Sequence, residues 1–396
     1  MSKNRHYDVI VIGAGIHGVG VAQAAAARGH SVLVLERNGI ASGTSSRSSK
    51  LIHGGLRYLE NGQLSLVREC LEERTLLLKL APTLVTLKPF YIPVTRAMSR
   101  SATLLRTGLA LYSLLGKFSS ATRFGSVARS SWGTMDGLSS DNLLAILKYQ
   151  DAQTDDAALT RAVMASAHSL GAQLQMPALF DEAVMEDDAV VVHYRNNGTT
   201  HSCHCQVLVN ASGPWVNDTL AKISPMSPSL TIDLVQGTHI IVNGQLRQGI
   251  YYMEAPQDRR AVFAMPWQGQ ILVGTTETAY HGDPAEVMPL EEEKNYLLDV
   301  LAHYFPAYRR VENRKIVQAF AGLRVLPRTG GLAFSRPRET ILHGDRATAP
   351  RILTIYGGKL TAYRKTAEKV MERITMSLPV RTPKADTRTL TLNDPQ

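Results

Sequence analysis

The sequence predicts an α/β fold built on two sheets, one parallel and one antiparallel, and three observations carry this prediction. The first 36 residues contain a strand, a glycine turn, a helix and a second strand. Residues 231–280 contain several short β-rich runs, which are typical of an antiparallel sheet. The segment RILTIYGGKLTAYRKTAEKVMERI then predicts a last strand, a Gly-Gly turn and a final helix.

Composition limits the class of protein. A chain of 396 residues with 44% apolar and 19% charged residues has room for two or three domains of ordinary globular type. The net charge of +9 favours anionic partners, namely an acidic small molecule or a membrane surface. No nucleic-acid-binding motif occurs and the charge is dispersed, so nucleic acid is not expected. A first strand beginning by Tyr7 leaves no room for a secretory signal, and a cytoplasmic protein is expected.

Three cysteines exclude a disulfide framework. In HSCHC, alternation along a strand would place His201, Cys203 and Cys205 on one face, which raises the alternative of a zinc site. A β-hairpin turning at Asn197-Gly198 accounts for the same segment, and no fourth ligand stands nearby. We therefore predict no metal.

The opening strand and helix follow from local sequence. The β-branched run from Tyr7 to Ile12 predicts a buried parallel strand. The alanine-rich stretch from Val19 to Arg28 predicts a helix that ends at Gly29.

The glycines between them have G-x-G-x-x-G spacing and indicate a dinucleotide site. Gly13 permits the tight turn, Gly15 lets a pyrophosphate approach, and Gly18 lets the helix pack against the strand. The helix N-terminus then faces the pyrophosphate. The second strand, from Ser31 to Leu35, leads to Glu36, about twenty residues on, where a carboxylate holds ribose hydroxyls. No arginine stands directly before Glu36 in the sequence, and this favours FAD or NAD over NADP.

A long polar loop follows, GIASGTSSRSSKLIHGGLRYLENGQ, and loops of this length tend to be functional. Its glycines and the apolar pair Leu51-Ile52 argue against a merely solvated segment. The loop brings candidate binding or catalytic side chains beside the predicted pyrophosphate, namely Lys50, His53, Arg57 and Tyr58.

Helices are also predicted over Leu64 to Leu80, Asp155 to Ser169 and Glu291 to Tyr304. A strand near Gln173 and a hairpin over 182–208 are predicted between the second and the third of these helices. QVLVNASGPWVN predicts a buried strand running into small residues that permit close approach to a cofactor.

The segment from Arg96 to Arg123 has an apolar stripe surrounded by basic residues. Its uncharged core is far shorter than the roughly 20 residues that cross a bilayer, so it either lies in an interface or packs inward. The stripe consists of Leu104, Leu105, Leu109, Tyr112 and Leu115, and the basic residues are Arg96, Arg100, Arg106, Lys117 and Arg123.

Taken together, the motifs resemble the FAD-dependent glycerol-3-phosphate dehydrogenases, bacterial and mitochondrial, within the D-amino-acid-oxidase-like flavoproteins. The resemblance covers nearly the whole chain, and SKLIHGGLRYLE separates this branch from amine and amino-acid oxidases of the same fold. The matching motifs are GAGIHG, TSSRSSKLIHGGLRYLE, VNASGPWV, QGTHIIV, MPWQGQILVGTTET, AGLRVLPR and YGGKLTAYRK.

The resemblance implies a Rossmann-like FAD-binding domain assembled from discontinuous segments, 1–95, 145–222 and 318–380. A substrate domain on an antiparallel β-sheet would comprise 96–144 and 223–317, and 381–396 would form a tail. The helical C-terminal domain typical of the family is expected to be missing, because the chain ends soon after the last FAD-binding helix. Glu277 in GTTET stands where the family usually has aspartate.

The resemblance also implies site residues. Those toward FAD are Gly13, Gly15, Ile16, Gly18, Glu36, Arg37, Thr44, Ser45, Ser48, Leu51, His53, Gly54, Gly55, Ala211, Gly213, Trp215, Gly322, Gly358, Lys359, Leu360 and Thr361. Those toward substrate and catalysis are His53, Arg57, Tyr58, His239, Thr276, Arg324, Lys359 and Arg336, with Arg338 as the alternative to the last.

The implied reaction is oxidation of glycerol 3-phosphate to dihydroxyacetone phosphate, with electrons passed to a quinone or another acceptor, and with peripheral attachment to the cytoplasmic membrane face. A phosphate dianion needs two or more charge-assisted donors, which Arg57, Arg324 and Lys359 can supply. His53 or His239 would accept the hydroxyl proton. The alternatives are an oxygen-using oxidase, a dehydrogenase of another hydroxy acid, and a flavin-binding protein without turnover.

Overall fold

The computed structural model describes residues 5–60, 62–328 and 340–393. Its helices are α1 (Ile16–Ala27), α2 (Arg57–Glu60), α3 (Leu64–Leu80), α4 (Ala102–Leu115), α5 (Asp156–Ser169), α6 (Val216–Leu220), α7 (Glu291–Tyr304) and α8 (Tyr363–Ile374). Its strands are β1 (Arg5–Ile12), β2 (Val32–Leu35), β3 (Leu51–Ile52), β4 (Val85–Thr95), β5 (Gly125–Ser126), β6 (Leu143–Thr154), β7 (Gln173–Gln175), β8 (Leu179–Met185), β9 (Val190–Asn196), β10 (Thr199–Asn210), β11 (Ile223–Ser224), β12 (Ile232–Val242), β13 (Ile250–Glu254), β14 (Ala261–Trp267), β15 (Gln270–Gly274), β16 (Thr278–Tyr280), β17 (Ile316–Pro327), β18 (Ile341–Gly344) and β19 (Ile352–Tyr356).

The first sheet has a parallel centre, as predicted. Strand β1 pairs in parallel with β2 on one side and with β10 on the other. On their outer sides, β2 pairs in parallel with β7, and β10 pairs in parallel with β19. Strands β9 and β10 form the predicted hairpin, which turns at Asn197-Gly198 with both residues at positive φ. Strands β8, β11 and β18 complete the sheet. The sheet therefore draws on widely separated parts of the chain.

Three helices cover one face of this sheet. The alanine-rich α1 is buried on nearly every side because it lies between α5 and α8 against the strands. Gly20 allows this packing, since a Cβ there would lie 2.9 Å from the ring of Tyr363. The arrangement places the N-terminus of α1 at the edge of the sheet where β1 ends.

The second sheet is antiparallel apart from one parallel pair, β13 with β4. Its main path is β16-β12-β15-β14-β13-β4-β6-β3, with β17 beside β12 and β5 beside β6. Helix α7 packs on it through Leu297 and Leu301, in one cluster with Tyr251 and Val273.

Several strands divide between the sheets differently from the predicted domain boundaries. Strands β3, β4, β6 and β17 hydrogen-bond within the second sheet, although the predicted boundaries place most of their residues in the FAD-binding segments. The apolar sequence of each of these strands does not indicate which of the two sheets it joins. The two layers consequently share the segments that form the cleft between them.

The residues from 381 onward pack against the first layer. Arg381 binds both carboxylate oxygens of Asp8, at 3.1 and 2.9 Å. The backbone N–H of Leu392 donates to the carbonyl of Leu80 at 2.7 Å. These contacts make the predicted tail, as far as 393, part of the folded unit.

Helix α4 has two apolar faces. Leu105, Leu109 and Tyr112 are buried, whereas Leu104 and Leu114 are 58% and 54% exposed. The predicted stripe is therefore divided between an inward face and an outward one. No helix among the described residues is long and apolar enough to cross a membrane.

Cys203 and Cys205 point into the core of the first layer. Over the described ranges, no three His, Cys, Asp or Glu side chains converge as a metal site would require.

Candidate active site

A cleft of about 560 Å³ runs between the two sheets. Its walls come from the turn between β1 and α1, the loop after β2, the turn after β10, strands β12 and β17, and the turn before α8. Since both glycine turns and the long polar loop open into it, the cleft collects the motifs that the sequence singled out.

The first glycine turn is shaped for close approach. Gly13 has φ +99°, and a Cβ on Gly18 would lie 1.9 Å from the Gly13 carbonyl oxygen. Gly15 caps α1 without a side-chain hydrogen bond. In the first turn of α1, the N–H of Ile16 donates to Ser45 Oγ at 2.8 Å. A helix that begins this way at a cleft is suited to bind an anion.

Glu36 lies at the carboxyl end of β2, buried at the cleft wall. Its Oε2 accepts from the Ala14 N–H and its Oε1 from the Asn38 N–H, each at 2.8 Å. With the Gly39 N–H, which donates to Oε1 at 3.3 Å, three backbone donors hold the carboxylate where the strand-turn-helix unit places a ribose. Arg37 lies over the Trp215 ring at 4.8 Å, on the same wall.

The loop after Glu36 is anchored from below. Lys50 Nζ and the Ser48 hydroxyl contact the two carboxylate oxygens of the buried Asp156, at 2.5 and 2.6 Å. Thr44 Oγ1 donates to the carbonyl of Leu323 at 2.9 Å, which ties the loop to β17. These bonds keep the loop in place beneath the cleft.

A smaller cavity of about 120 Å³ adjoins the cleft. The two share a set of lining residues, namely Ser49, Leu51, His53, Tyr58, Thr275 and Arg324. The small cavity also contains the guanidinium-bearing residues Arg57 and Arg260 and the carboxylate-bearing residues Asp151 and Glu277. Asp151 is paired with the buried Arg74, Glu277 with Arg324, and Arg260 with Asp258 at 3.3 Å, so Arg57 is the arginine of this cavity without a carboxylate partner among the described residues.

Arg324 is held in a fixed orientation at the junction of the two cavities. Its Nη1 donates to Glu277 Oε1 at 2.6 Å, and its Nη2 donates to the Thr276 carbonyl at 2.9 Å. A guanidinium held at two points presents its remaining donors to one direction only.

Thr276, which the resemblance assigns to the substrate pocket, does not line either of the two cavities. Its side chain is buried, and its hydroxyl donates to Glu293 Oε1 at 2.7 Å and accepts from the Thr238 N–H at 2.8 Å. The neighbouring Thr275 lines both cavities instead. Thr276 therefore acts on the site through the carbonyl that holds Arg324.

Lys359 follows the second glycine turn and has an unusual environment. Its Nζ lies 3.7 Å from the centroid of the Tyr58 ring. The atom is buried and finds no hydrogen-bond acceptor among the described residues. A buried ammonium supported only by a π face is favoured when an anion comes within reach.

Two histidines lie at the junction. His239 is 2% exposed, its ring stacks on Phe320 at 5.0 Å, and its Nε2 lies 2.9 Å from Ser49 Oγ. Burial, together with the positive charges of Lys50 and Arg324, lowers the pKa of His239 to about 3. His53 lines both cavities, and its backbone N–H donates to Thr361 Oγ1 at 3.1 Å.

Two predicted cofactor glycines lie away from the cleft. Gly54 lines neither cavity, and its N–H donates to the hydroxyl of the buried Tyr112 at 2.8 Å. Gly55, at φ +77°, lines the small cavity and packs on the Tyr58 ring. Gly18 supports the turn from behind. Arg336 and Arg338 lie outside the described residues.

The remaining predicted residues line the cleft, and Arg57 lines only the small cavity. Those at the cleft are Gly13, Gly15, Ile16, Glu36, Arg37, Thr44, Ser45, Ser48, Leu51, Ala211, Gly213, Trp215, Gly322, Gly358, Leu360 and Thr361.

Sequence reasoning missed Arg260, Asp151 and Ser49 as members of the site. Arg260 directly precedes β14, and its Nη1 donates to the Glu277 carbonyl at 2.8 Å. The available signal was a cation at the start of a strand of the predicted substrate sheet. Ser49 stood within the long loop but was one of several serines without a distinguishing neighbour.

The chain is similar to known flavoproteins in sequence. The family model described as DAO, FAD dependent oxidoreductase, matches residues 8–364. The D-erythritol 1-phosphate dehydrogenase of Brucella abortus is 35% identical over 96% of this chain and 76% of its own length. The aerobic glycerol-3-phosphate dehydrogenase of Escherichia coli is 36% identical over 93% of this chain and 73% of its own length.

A solved structure is similar as well. The glycerol-3-phosphate dehydrogenase from Bacillus halodurans, complexed with FAD, superposes with a TM-score of 0.77 at 28% identity. The match covers 99% of this chain and 68% of that one. The glycine cradle, the buried Glu36 and the unpartnered Lys359 ammonium fit the same cofactor here.

Proposed function

The chain belongs to the family of FAD dependent oxidoreductases and is of the glycerol-3-phosphate dehydrogenase type, and from this premise we propose that it oxidises glycerol 3-phosphate to dihydroxyacetone phosphate. The observation that carries the proposal is an excess of positive charge where the small cavity adjoins the cofactor cleft, because Arg57 has no carboxylate partner among the described residues and Lys359 Nζ has no hydrogen-bond acceptor there. An uncharged polyol would not require this excess, whereas a phosphate dianion does.

Arg57 and Lys359 are the groups proposed to bind the phosphate. No carboxylate of the described chain lies within ion-pair distance of Arg57, and Lys359 Nζ has no hydrogen-bond acceptor there. Tyr58, which lies under Lys359 and lines both cavities, connects the two cations. Arg57 can contact phosphate oxygens in two-pronged fashion, and Lys359 supplies a point charge.

Arg324 and His239 are the groups proposed to act at the reacting carbon. Arg324 lines both cavities, so its guanidinium can orient the substrate hydroxyl between them. When bound, FAD accepts the hydride from that carbon. The hydroxyl proton goes to His239, whose imidazole is kept neutral in the empty site by burial and by the positive charges of Lys50 and Arg324. His53 lines both cavities and is placed to contact substrate.

A second candidate substrate is a longer polyol phosphate. The Brucella abortus relative, a D-erythritol 1-phosphate dehydrogenase, is about as similar to this chain as the glycerol-3-phosphate dehydrogenases are. A four-carbon substrate would place the same phosphate on the same cations and extend one more hydroxyl along the cavity toward Arg260. The two candidates therefore share a site and differ in length.

The proposal extends to a quinone acceptor at a membrane surface. Support comes from the outward face of α4 and the turn that follows it, where the exposed Leu104, Leu114 and Phe118 lie among exposed basic residues. Arg100 is not among these, since it is paired with Glu60 and Glu254. The exposed basic residues are Arg96, Arg106, Lys117 and Arg123.

Anaerobic titration tests the substrate. The purified protein should carry FAD, and glycerol 3-phosphate should bleach the flavin with one equivalent per site. Erythritol 1-phosphate is titrated in parallel, and the larger rate constant of flavin reduction identifies the better substrate. Flavin that neither compound reduces would contradict the proposal.

A further inference from the structure

We propose that Ser49 carries the hydroxyl proton of the substrate to His239, so that the two residues act as one proton-accepting unit. This inference rests on the proposed function. Ser49 lines both the cofactor cleft and the small cavity, whereas His239 lines only the cleft. The serine hydroxyl is therefore the member of the pair that reaches the cavity in which the substrate is proposed to bind.

The orientation of the imidazole supports this relay. His239 Nδ1 is buried and has no hydrogen-bond partner among the residues described. Its Nε2 lies 2.9 Å from Ser49 Oγ. In the tautomer that carries its proton on Nδ1, Nε2 accepts from the Ser49 hydroxyl, and a further proton reaches Nε2 by way of the Ser49 oxygen.

The ring is held in this orientation on both sides. Phe320 stacks on one face with an interplanar angle of 13°. A Cβ on Gly274 would lie 2.0 Å from His239 Cδ2, so β15 closes against the ring edge. Phe320 and β15 therefore fix the plane of the imidazole ring.

The serine is held from behind as well. Ser48 and Lys50, its two chain neighbours, both bind the buried Asp156. The backbone of residue 49 is therefore anchored on either side, and the Ser49 side chain is directed into the junction between β12 and the cleft. Precise placement of a hydroxyl between donor and acceptor is what a two-step proton transfer requires.

The substrate hydroxyl gives its proton to Ser49 Oγ as the Ser49 proton passes to His239 Nε2, which leaves serine unchanged and an imidazolium. The carbon–hydrogen bond of the substrate breaks with its electron pair, which FAD takes up as hydride, and the carbonyl forms. The imidazolium returns its proton to water after the product leaves.

The surrounding charges make this relay depend on an anionic substrate. Burial and, after it, the positive charges of Lys50 and Arg324 lower the pKa of His239 while the site is empty. A phosphate dianion among the cations of the small cavity offsets that repulsion. Proton transfer to His239 is then fast when the phosphorylated substrate is bound and slow when glycerol is bound.

Stopped-flow reduction of the flavin by glycerol 3-phosphate tests the relay in Ser49→Ala and Ser49→Thr. Ser49→Ala should keep its FAD content and substrate Kd within about threefold, while the rate constant of flavin reduction falls about 100-fold or more. Ser49→Thr retains the hydroxyl and should stay within about tenfold of wild type. If Ser49→Ala does not fold, Ser49→Cys gives the same comparison, because the thiol keeps the size and is a poor hydrogen-bond partner.

The matched control is Ser46→Ala. Ser46 lies in the same loop but its hydroxyl donates to the Gly43 carbonyl at 3.2 Å and lines neither cavity, so flavin reduction should be unchanged. The double variant Ser49→Ala/His239→Asn should be no slower than the slower single variant, because removing either member already stops the relay.

A Ser49→Ala rate within threefold of wild type, additive losses in the double variant, or loss of FAD from Ser49→Ala would overturn the relay. The proposed function fails separately, when wild-type flavin is not reduced by glycerol 3-phosphate at all.

Discussion

Arg324 Nη1 and Glu277 Oε1 lie 2.6 Å apart at the junction of the cofactor cleft and the small cavity. The carboxylate directs a guanidinium that lines both spaces, and the Thr276 carbonyl holds its other end. The pair is partly buried, with the Glu277 side chain 6% exposed. It therefore sets the direction of the cation that is proposed to orient the reacting hydroxyl.

Glu277→Gln should lower kcat/KM for glycerol 3-phosphate about 10- to 100-fold while FAD remains bound. A neutral amide holds a guanidinium less firmly than a carboxylate, and hydrogen bonds to charged groups contribute about 1.5 to 3 kcal/mol. Glu277→Asp, which shortens the side chain by one carbon, should lose less. Steady-state kinetics with FAD content measured by absorbance checks both variants, and equal activity in all three proteins would contradict the role of the pair.

Arg57→Ala should keep fold and FAD but lose most activity with glycerol 3-phosphate. Breaking a buried charge contact on one side costs about 2 to 5 kcal/mol, which is roughly 30- to several-thousand-fold in kcat/KM. Arg57→Lys should recover only part, since an ammonium cannot make the two-pronged contact. Unphosphorylated glycerol is the control substrate. The anion site would be refuted if wild type and Arg57→Ala oxidised glycerol equally and both ignored glycerol 3-phosphate.

Gly15→Val should yield folded protein without FAD. The position faces the cleft at the start of α1, and an added Cβ would already lie 3.1 Å from Ser45 Oγ, so larger groups occupy the approach of the pyrophosphate. Gly108→Ala is the matched control, because nothing lies within 4 Å of its added Cβ in α4. Flavin absorbance after purification, with circular dichroism for the fold, separates the two. A yellow Gly15→Val protein with normal FAD affinity would contradict the assignment.

Glu293 should make stability depend on pH in the acid range. Burial alone would raise the pKa of Glu293, but hydrogen bonds from Thr238, Thr276 and Thr278 lower it below its ordinary value. A depressed folded pKa stabilises the fold above the unfolded pKa, and that stabilisation is lost as pH falls through the folded pKa. Glu293→Gln should therefore be less stable than wild type at pH 7, by about 2 kcal/mol, with the difference shrinking toward pH 3. Thermal unfolding of both proteins from pH 7 to pH 3 checks this prediction. A stability difference that does not change with pH would contradict a lowered pKa of Glu293.

The outward face of α4 should bind anionic vesicles reversibly. Basic residues near an anionic surface contribute about 1 kcal/mol each, and salt screens them. Flotation with anionic liposomes should show association at low salt that is lost at high salt. The triple variant Leu104→Ser/Leu114→Ser/Phe118→Ser should float less, whereas Met226→Ser/Val380→Ser, at exposed positions elsewhere, should behave like wild type. No association at low salt would confine α4 to a packing role.

Local sequence determined the elements whose signals lie within a few turns of chain. Helices α3 and α7 begin and end at the predicted residues, and the positive φ of Gly13 and Gly29 follows from turns that only glycine adopts without strain. The strand-turn-helix unit with Glu36 is likewise a short-range pattern, because the strand, the helix and the acid are spaced by their own geometry. The resemblance of ordered motifs added the cofactor and the proposed substrate.

Tertiary structure alone decided which distant residues meet. The Ser49–His239 contact joins residues 190 apart, and Arg260 reaches the small cavity because β14 pairs with β13 and β15. Tertiary packing also decided that the Thr276 hydroxyl donates to Glu293. In α4, contact with α3 and β6 buries one part of the apolar stripe and leaves another part exposed. Periodicity shows that a residue is apolar or polar and on which side of its own element it stands, but the choice of partner is made by the packing of elements far apart in the chain.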